Sequence, residues 1–156
     1  MDSPEFTLSQ VAAAAGVEVN TLRSWLQRKH WKMDTTVESA GDAGKAHLIT
    51  LRRGLHIGLA VELVRNDMDP ARAFKAAYSF SHTAAVDRAQ PAREVGGLYD
   101  YPAMTVMVVP RATSDSRILR IDDKSSAFDL FATYPSTVIV SIKQVDQRIR
   151  NALGGK

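Results

Sequence analysis

A short alanine-rich segment that ends in glycine is the feature that most constrains the fold of this chain. The run Thr7-Leu8-Ser9-Gln10 matches a capping box, in which a threonine side chain caps a helix and a glutamine three residues later reaches back to the threonine amide. It predicts a helix over residues 8–15. Gly16 is expected to end this helix, because glycine adopts the left-handed backbone conformation of many helix ends at little cost.

A second helix is predicted over residues 19–29, directly after a tight turn. Leu22, Trp25 and Leu26 have the i, i+3, i+4 spacing of a buried helix face. The opposite face is polar, with side chains of the length that reaches base edges or phosphates. A short helix, a glycine turn and a polar-faced helix together are typical of the helix-turn-helix. The polar face carries Asn20, Thr21, Arg23, Ser24, Gln27 and Arg28.

The segment after this helix has the pattern of a β-hairpin. Residues 33–47 are polar, with Gly41 and Gly44 near the centre and strand-forming residues at 35–37 and 47–49. They predict a two-stranded wing with its tip at 40–45.

The distribution of charge favours a nucleic-acid partner for this half of the chain. The formal net charge is +3, and no acidic residue occurs at 19–33 or 43–61. Two basic stretches in the N-terminal half are what phosphate contacts require. The predicted contacts to double-stranded DNA are Asn20, Thr21, Arg23, Ser24, Gln27, Arg28, Lys29, Lys32, Lys45 and His47.

Two further helices are expected before the middle of the chain. Thr50 is a candidate N-cap for a helix over 51–66 that buries one face. Asp69-Pro70 predicts another helix start, since aspartate caps helices and proline suits the first helical position. This helix is expected to reach about residue 79, with Phe74, Ala77 and Tyr78 facing inward.

The remaining sequence predicts a linker and a small α/β module. Prolines and glycines interrupt residues 82–103, and Tyr99 and Tyr101 there are candidates to dock on a neighbouring domain. Strands are expected at 104–109, 117–121 and 137–142, and helices at 125–133 and 143–153. The predicted fold class is α+β: a winged helix-turn-helix at 1–81, a linker at 82–103, and a strand-strand-helix-strand-helix module at 104–156. A module of this size has a small core, so we expect it to form a homodimer or higher homo-oligomer, or to bind a partner.

Several function classes find no support in the sequence. There is no cysteine, no glycine-rich phosphate loop and no nucleophile motif, so we expect neither catalysis nor a cofactor. His30, His47, His56 and His82 do not have the spacing of metal ligands, and no metal site is predicted. No apolar run approaches the roughly 20 residues of a membrane span, so a cytoplasmic protein without membrane contact is expected.

The N-terminal half resembles the MerR family of transcriptional regulators. The resemblance spans about residues 6–81. It implies a winged helix-turn-helix that binds DNA, with Arg23 gripping the phosphate backbone and Lys45 and His47 at wing positions that touch DNA. The motifs that carry it are Phe6-Thr7-Leu8-Ser9-Gln10-Val11-Ala12, Ala15-Gly16-Val17 and Thr21-Leu22-Arg23-Ser24-Trp25.

The chain departs from the pattern of that family at several positions. Leu48-Ile49 stand where an arginine and a tyrosine usually end the wing, and His30-Trp31 replace a usual Gly-Leu. The long dimerisation helix and the sensor cysteines are absent from the sequence. The resemblance therefore implies DNA binding rather than ligand sensing, and a sequence-specific transcriptional regulator is the expected function.

Two alternatives use the same N-terminal fold. Phage excisionases and the small terminase subunit of lambda-like phages fit the run Asn20-Thr21-Leu22-Arg23-Ser24-Trp25-Leu26 nearly as well, and they imply a role in recombination or DNA packaging. A packaging protein would assemble as a ring and a regulator as a dimer. A winged helix that docks on another protein is a third interpretation.

Overall fold

The computed structural model describes residues 4–28, 48–82, 93–113, 115–122 and 135–154. These residues form five helices and five strands, so the predicted mixed α+β class is confirmed. The strands are β1 (Pro4–Thr7), β2 (Leu48–Thr50), β3 (Met104–Pro110), β4 (Arg117–Ile121) and β5 (Thr137–Ser141). The helices are α1 (Leu8–Ala15), α2 (Val19–Gln27), α3 (Leu51–Arg65), α4 (Pro70–His82) and α5 (Ile142–Leu153).

The predicted caps fix where the first helices begin. The Thr7 side chain accepts a hydrogen bond from the Gln10 amide, and the Gln10 side chain accepts one from the Thr7 amide at 2.8 Å, which completes the capping box. The Thr50 side chain accepts from the Arg53 amide at 3.2 Å. The Asp69 side chain accepts from the Arg72 amide at 3.3 Å, so both later helix starts also occur as predicted.

The strands form two small antiparallel sheets. β1 pairs with β2, with a register shift between Pro4 and Phe6. In the other sheet the order is β4-β3-β5, and Met107 of the central strand lies opposite Ile118 on one side and Val140 on the other. Strand β1 was not predicted from the sequence, because its four residues include a proline and its partner lies about 45 residues away.

Helix α3 lies at the centre of the core. It was predicted to bury one face, but residues 53–61 are all buried, so that prediction was too narrow. Helices α1, α4 and α5 pack around α3, and on the α5 side Gly54 and Gly58 leave no side chain between the two helices. Ile149 and Val145 of α5 approach α3 at Gly58.

The two predicted parts of the chain contribute to one hydrophobic core. Buried residues of α1 and α3 belong to the same cluster as Met107, Val140 and Ile149. Arg72 of α4 also donates hydrogen bonds to the carbonyl oxygens of Pro110 and Thr113, which ties α4 to the end of β3. The boundaries at 82 and 103 stay predictions.

Several predicted details differ from the structure. Helix α2 ends at Gln27 rather than residue 29, and α4 continues to His82 rather than ending near 79. Tyr78 is 48% exposed rather than inward-facing, because its ring lies beside His56 at the edge of the core. Tyr99 is buried, whereas Tyr101 is exposed. The predicted helix at 125–133 and residues 33–47 of the predicted wing lie outside the described residues. The second wing strand, predicted at 47–49, overlaps β2, which pairs with β1. No helix in the described ranges is long and apolar enough to cross a membrane.

Candidate nucleic-acid interface

A left-handed glycine sets the angle between α1 and α2. Gly16 has φ 73° and ψ 42°, and its amide donates to the Ala13 carbonyl oxygen at 3.1 Å. The Val17 amide donates to the Ala12 carbonyl oxygen at 3.0 Å. The Arg65 guanidinium at the end of α3 donates to the Gly16 carbonyl oxygen at 2.7 Å. This hydrogen bond attaches the turn between α1 and α2 to α3.

Replacing Gly16 with alanine is expected to lower the free energy of unfolding by about 1–2 kcal/mol, the cost of a left-handed residue with a Cβ. The new Cβ would also lie 2.4 Å from Arg65 Nη2, so this flexible, 43% exposed side chain would have to release the turn. Urea denaturation measures the change. Arg65→Ala is the matched control, because it removes the same hydrogen bond without backbone strain and should cost less. Equal losses in the two variants would show that the left-handed backbone is not the main requirement.

Helix α2 is docked through a narrow apolar contact. Leu22 is its one fully buried side chain, and Trp25 is half-buried with its ring 6.2 Å from the Phe74 ring in an edge-to-face arrangement. Such aromatic pairs add about 0.5–1.5 kcal/mol beyond the area they bury. The nine-residue helix is too short to be stable alone in water, so this contact with α4 holds it in place.

The polar side chains predicted to contact DNA lie on the free side of α2. Ser24 is half-buried, and Arg23 Nη1 donates to Asn20 Oδ1 at 3.0 Å, one turn earlier on the helix. The helix contains no acidic residue, so no carboxylate within it competes for these cations. The structure therefore brings together four exposed side chains on one short helix and a fifth, Arg28, at its C-cap; the four on the helix are Asn20, Thr21, Arg23 and Gln27.

Four predicted contacts cannot be placed on this surface. Lys29, Lys32, Lys45 and His47 lie outside the described residues.

A chain of charged contacts joins the α1–α2 turn to the C-terminal helix and was not predicted. Arg65 Nη1 lies 3.4 Å from Glu62 Oε2, and Arg148 Nη2 of α5 lies 3.0 Å from the same oxygen. Glu62 and Arg65 are one turn apart on α3, but Arg148 is 86 residues from Glu62, and Arg65 is 49 residues from Gly16. No local pattern indicates these two long-range contacts. Each pair is partly exposed to solvent and contributes little stability by itself, typically about 0–1 kcal/mol.

Arg93 is a buried cation whose contacts are to an aromatic ring and to backbone carbonyl oxygens. The Arg93 guanidinium is buried 5.1 Å from the Phe80 ring centroid and donates to the Glu94 carbonyl oxygen at 2.9 Å and the Gly97 carbonyl oxygen at 3.2 Å. Burial lowers the pKa of Arg93, and the nearby Tyr99 hydroxyl opposes that shift. Arg93 therefore holds residues 93–99 against α4.

The described part of the chain contains no group of three histidine, aspartate or glutamate residues placed to hold a metal ion. The chain matches no protein-family model and no curated protein.

Proposed function

We propose that this protein binds double-stranded DNA through the exposed face of α2 and acts as a transcriptional regulator. The observation that carries the proposal is the division of α2 into a docked side, with Leu22 buried, and a free side of hydrogen-bonding and cationic side chains without an acid. A helix of this kind fits the major groove of B-DNA, which is about 12 Å wide.

The chemistry of the free side divides into two roles. Arg23 and Arg28 would contact phosphates, which supply most of the affinity and fix the register of the protein on the duplex. Asn20, Thr21 and Gln27 would read base edges, since amide side chains can pair with adenine through two hydrogen bonds. The hydrogen bond between Asn20 and Arg23 holds the guanidinium over the helix before DNA arrives.

The finer assignment to a MerR-like winged helix-turn-helix belongs to the same proposal. The α1–α2 arrangement, the left-handed turn at Gly16 and the following helices α3 and α4 support it. In this arrangement Lys29, Lys32, Lys45 and His47 would extend the contact surface beyond α2. One such domain reaches few base pairs, so a specific site calls for a homodimer or a larger homo-oligomer.

Arg23→Ala is expected to weaken DNA binding by about 1–3 kcal/mol without unfolding the protein. The side chain is exposed and its one described hydrogen bond is to the neighbouring Asn20, so its loss leaves the core unchanged. Fluorescence anisotropy with a labelled duplex at fixed low salt measures the affinity, and circular dichroism checks the fold. The slope of log affinity against log salt should also fall by about 0.9 for each lost phosphate contact.

Arg117→Ala is the matched control for this experiment. It removes the same charge from an exposed position on β4, in the three-stranded sheet rather than on α2. We expect it to bind DNA as the wild type does. Equal weakening in both variants would indicate a net-charge effect and would contradict the assignment of α2. No binding by the wild type to any duplex at low salt would overturn the DNA-binding proposal as a whole.

A further inference from the structure

Strand β5 leaves one edge of the three-stranded sheet open among the described residues. Its partner is β3, and on its other side no described strand pairs with it. The Arg111 amide donates to the Ser136 carbonyl oxygen at 2.9 Å, which makes these two residues a hydrogen-bonded pair just beyond the strand. Since hydrogen-bonded pairs alternate along an antiparallel ladder, Val138 and Val140 direct their backbone groups to β3. The amides and carbonyls of Thr137, Ile139 and Ser141 therefore face outward.

The two edges of this sheet differ in charge. Strand β4 carries Arg117 and Arg120, and charged side chains on an edge strand oppose pairing with another chain. Strand β5 reads Thr-Val-Ile-Val-Ser and carries no charge and no proline. Ile139 is 40% exposed on it. The described residues of β5 therefore lack the charges and the proline by which many proteins block edge-to-edge association.

The sequence of β5 is nearly symmetric about Ile139. In an antiparallel pair of two β5 strands centred there, Val138 faces Val140 of the second copy and Thr137 faces its Ser141. Valine then meets valine on the core side, and on the other side Thr137, whose hydroxyl oxygen is buried within its own chain, lies opposite Ser141. Self-complementarity of this kind is what a two-fold interface requires.

A groove beside this edge leaves space for the β5 strand of a second copy. Its volume is about 350 Å³, and its wall combines the strand with the ends of α3 and α5. Glu62 and Arg148 form an ion pair in this groove. Because their opposite charges compensate each other, the groove suits an uncharged strand.

We propose that β5 is the interface between two copies of this chain, which join their sheets into one antiparallel sheet of six described strands. The inference deepens the proposed function, since it names the surface that supplies the homodimer, but its geometry does not depend on DNA. Stable dimers usually bury about 1,200–2,000 Å² in total, and one five-residue strand pair with its groove lies at or below the lower end. The dimer is therefore expected to be weak, and its population should rise with protein concentration.

A cysteine at position 139 tests the pairing directly, because the chain contains no cysteine of its own. At the centre of the two-fold pair the two Cα atoms would lie about 5.5 Å apart, within the range that a disulfide spans. Ile139→Cys should thus cross-link to a dimer under mild oxidation. Met104→Cys is the control, since Met104 is 50% exposed on the same sheet but lies on the central strand, and it should stay largely monomeric. Equal cross-linking of both variants would overturn the proposal.

Sedimentation of the full chain without DNA provides the second measurement. The wild type should change from 17.1 kDa to twice that mass as its concentration rises. Ile139→Lys should raise the dissociation constant at least tenfold, while Met104→Lys should leave it unchanged. A wild type that stays monomeric to several hundred micromolar, a ring of many subunits, or a dimer that tolerates Ile139→Lys would each contradict the β5 interface. Because no duplex is present, these results are independent of the anisotropy experiment on Arg23.

Discussion

Gly58→Val is expected to destabilise the protein by at least about 3 kcal/mol, at or above the usual range for overpacking a core. A Cβ at position 58 would lie 2.9 Å from two carbons of Ile149 and 3.3 Å from Val145. Ile149 is fully buried and Val145 nearly so, and neither can move into solvent. Valine adds two further carbons to this contact, so α3 and α5 must separate. Guanidinium denaturation followed by circular dichroism measures the loss.

Alanine at the two glycines of α3 provides a matched pair. Both Gly54→Ala and Gly58→Ala gain about 1 kcal/mol of helix propensity. At position 54 the nearest atom to the new Cβ is Leu153 Cδ1 at 3.5 Å, an ordinary contact, so the gain should appear as stabilisation. At position 58 the contact with Ile149 should cancel the gain or reverse it. In an Ile149→Ala background, Gly58→Ala should instead stabilise the protein, because the carbons that crowd the new Cβ are gone. Equal stability of the two alanine variants would contradict close packing at Gly58.

The local features of the fold could be predicted because short-range chemistry determines them. The capping box at Thr7 and Gln10, the left-handed Gly16 and the aspartate cap at Asp69 each involve residues within a few positions of one another. Helix periodicity likewise indicated the buried face of α2 around Leu22. In each case the residues that decide the structure are neighbours in the sequence.

The contacts that join distant segments could not be predicted in this way. Gly54 and Gly58 lie where α5 packs against α3, and the α5 residues that approach them are about 90 or more residues away in the sequence. Periodicity therefore underestimated how fully α3 is buried. The pairing of β1 with β2 and the hydrogen bond from Arg65 to the Gly16 carbonyl are also long-range and leave no local pattern.

The candidate interface could also be predicted only in part from the sequence. The polar face of α2 was visible in the sequence, because side chains on one helix face have a fixed spacing. What the sequence did not indicate is how α2 is held: Trp25 packs on Phe74 of α4, and Arg65 of α3 holds the turn that precedes α2. Both supports come from the part of the chain after residue 50, so the orientation of α2 depends on the whole core.

Leu22→Ala is expected to cost about 2–5 kcal/mol of stability, the range for removing a buried leucine. Leu22 is the one fully buried side chain of α2, and the helix is too short to persist when undocked. We therefore expect α2 to undock before the rest of the protein unfolds. DNA binding should then weaken more than in Arg23→Ala, although the Leu22 side chain is buried and cannot contact DNA itself. Hydrogen exchange of the α2 amides, measured beside those of α3, would show whether the opening is local.

Leu22→Met is the control for this change, because it keeps the volume of the side chain and usually costs less than about 1.5 kcal/mol. It should retain DNA binding close to that of the wild type. If Leu22→Ala exchanges equally fast in α2 and α3, the two helices open together and α2 is not an independently docked element. If its α2 amides alone exchange faster while DNA affinity stays at the wild-type value, then α2 is not the DNA-binding helix.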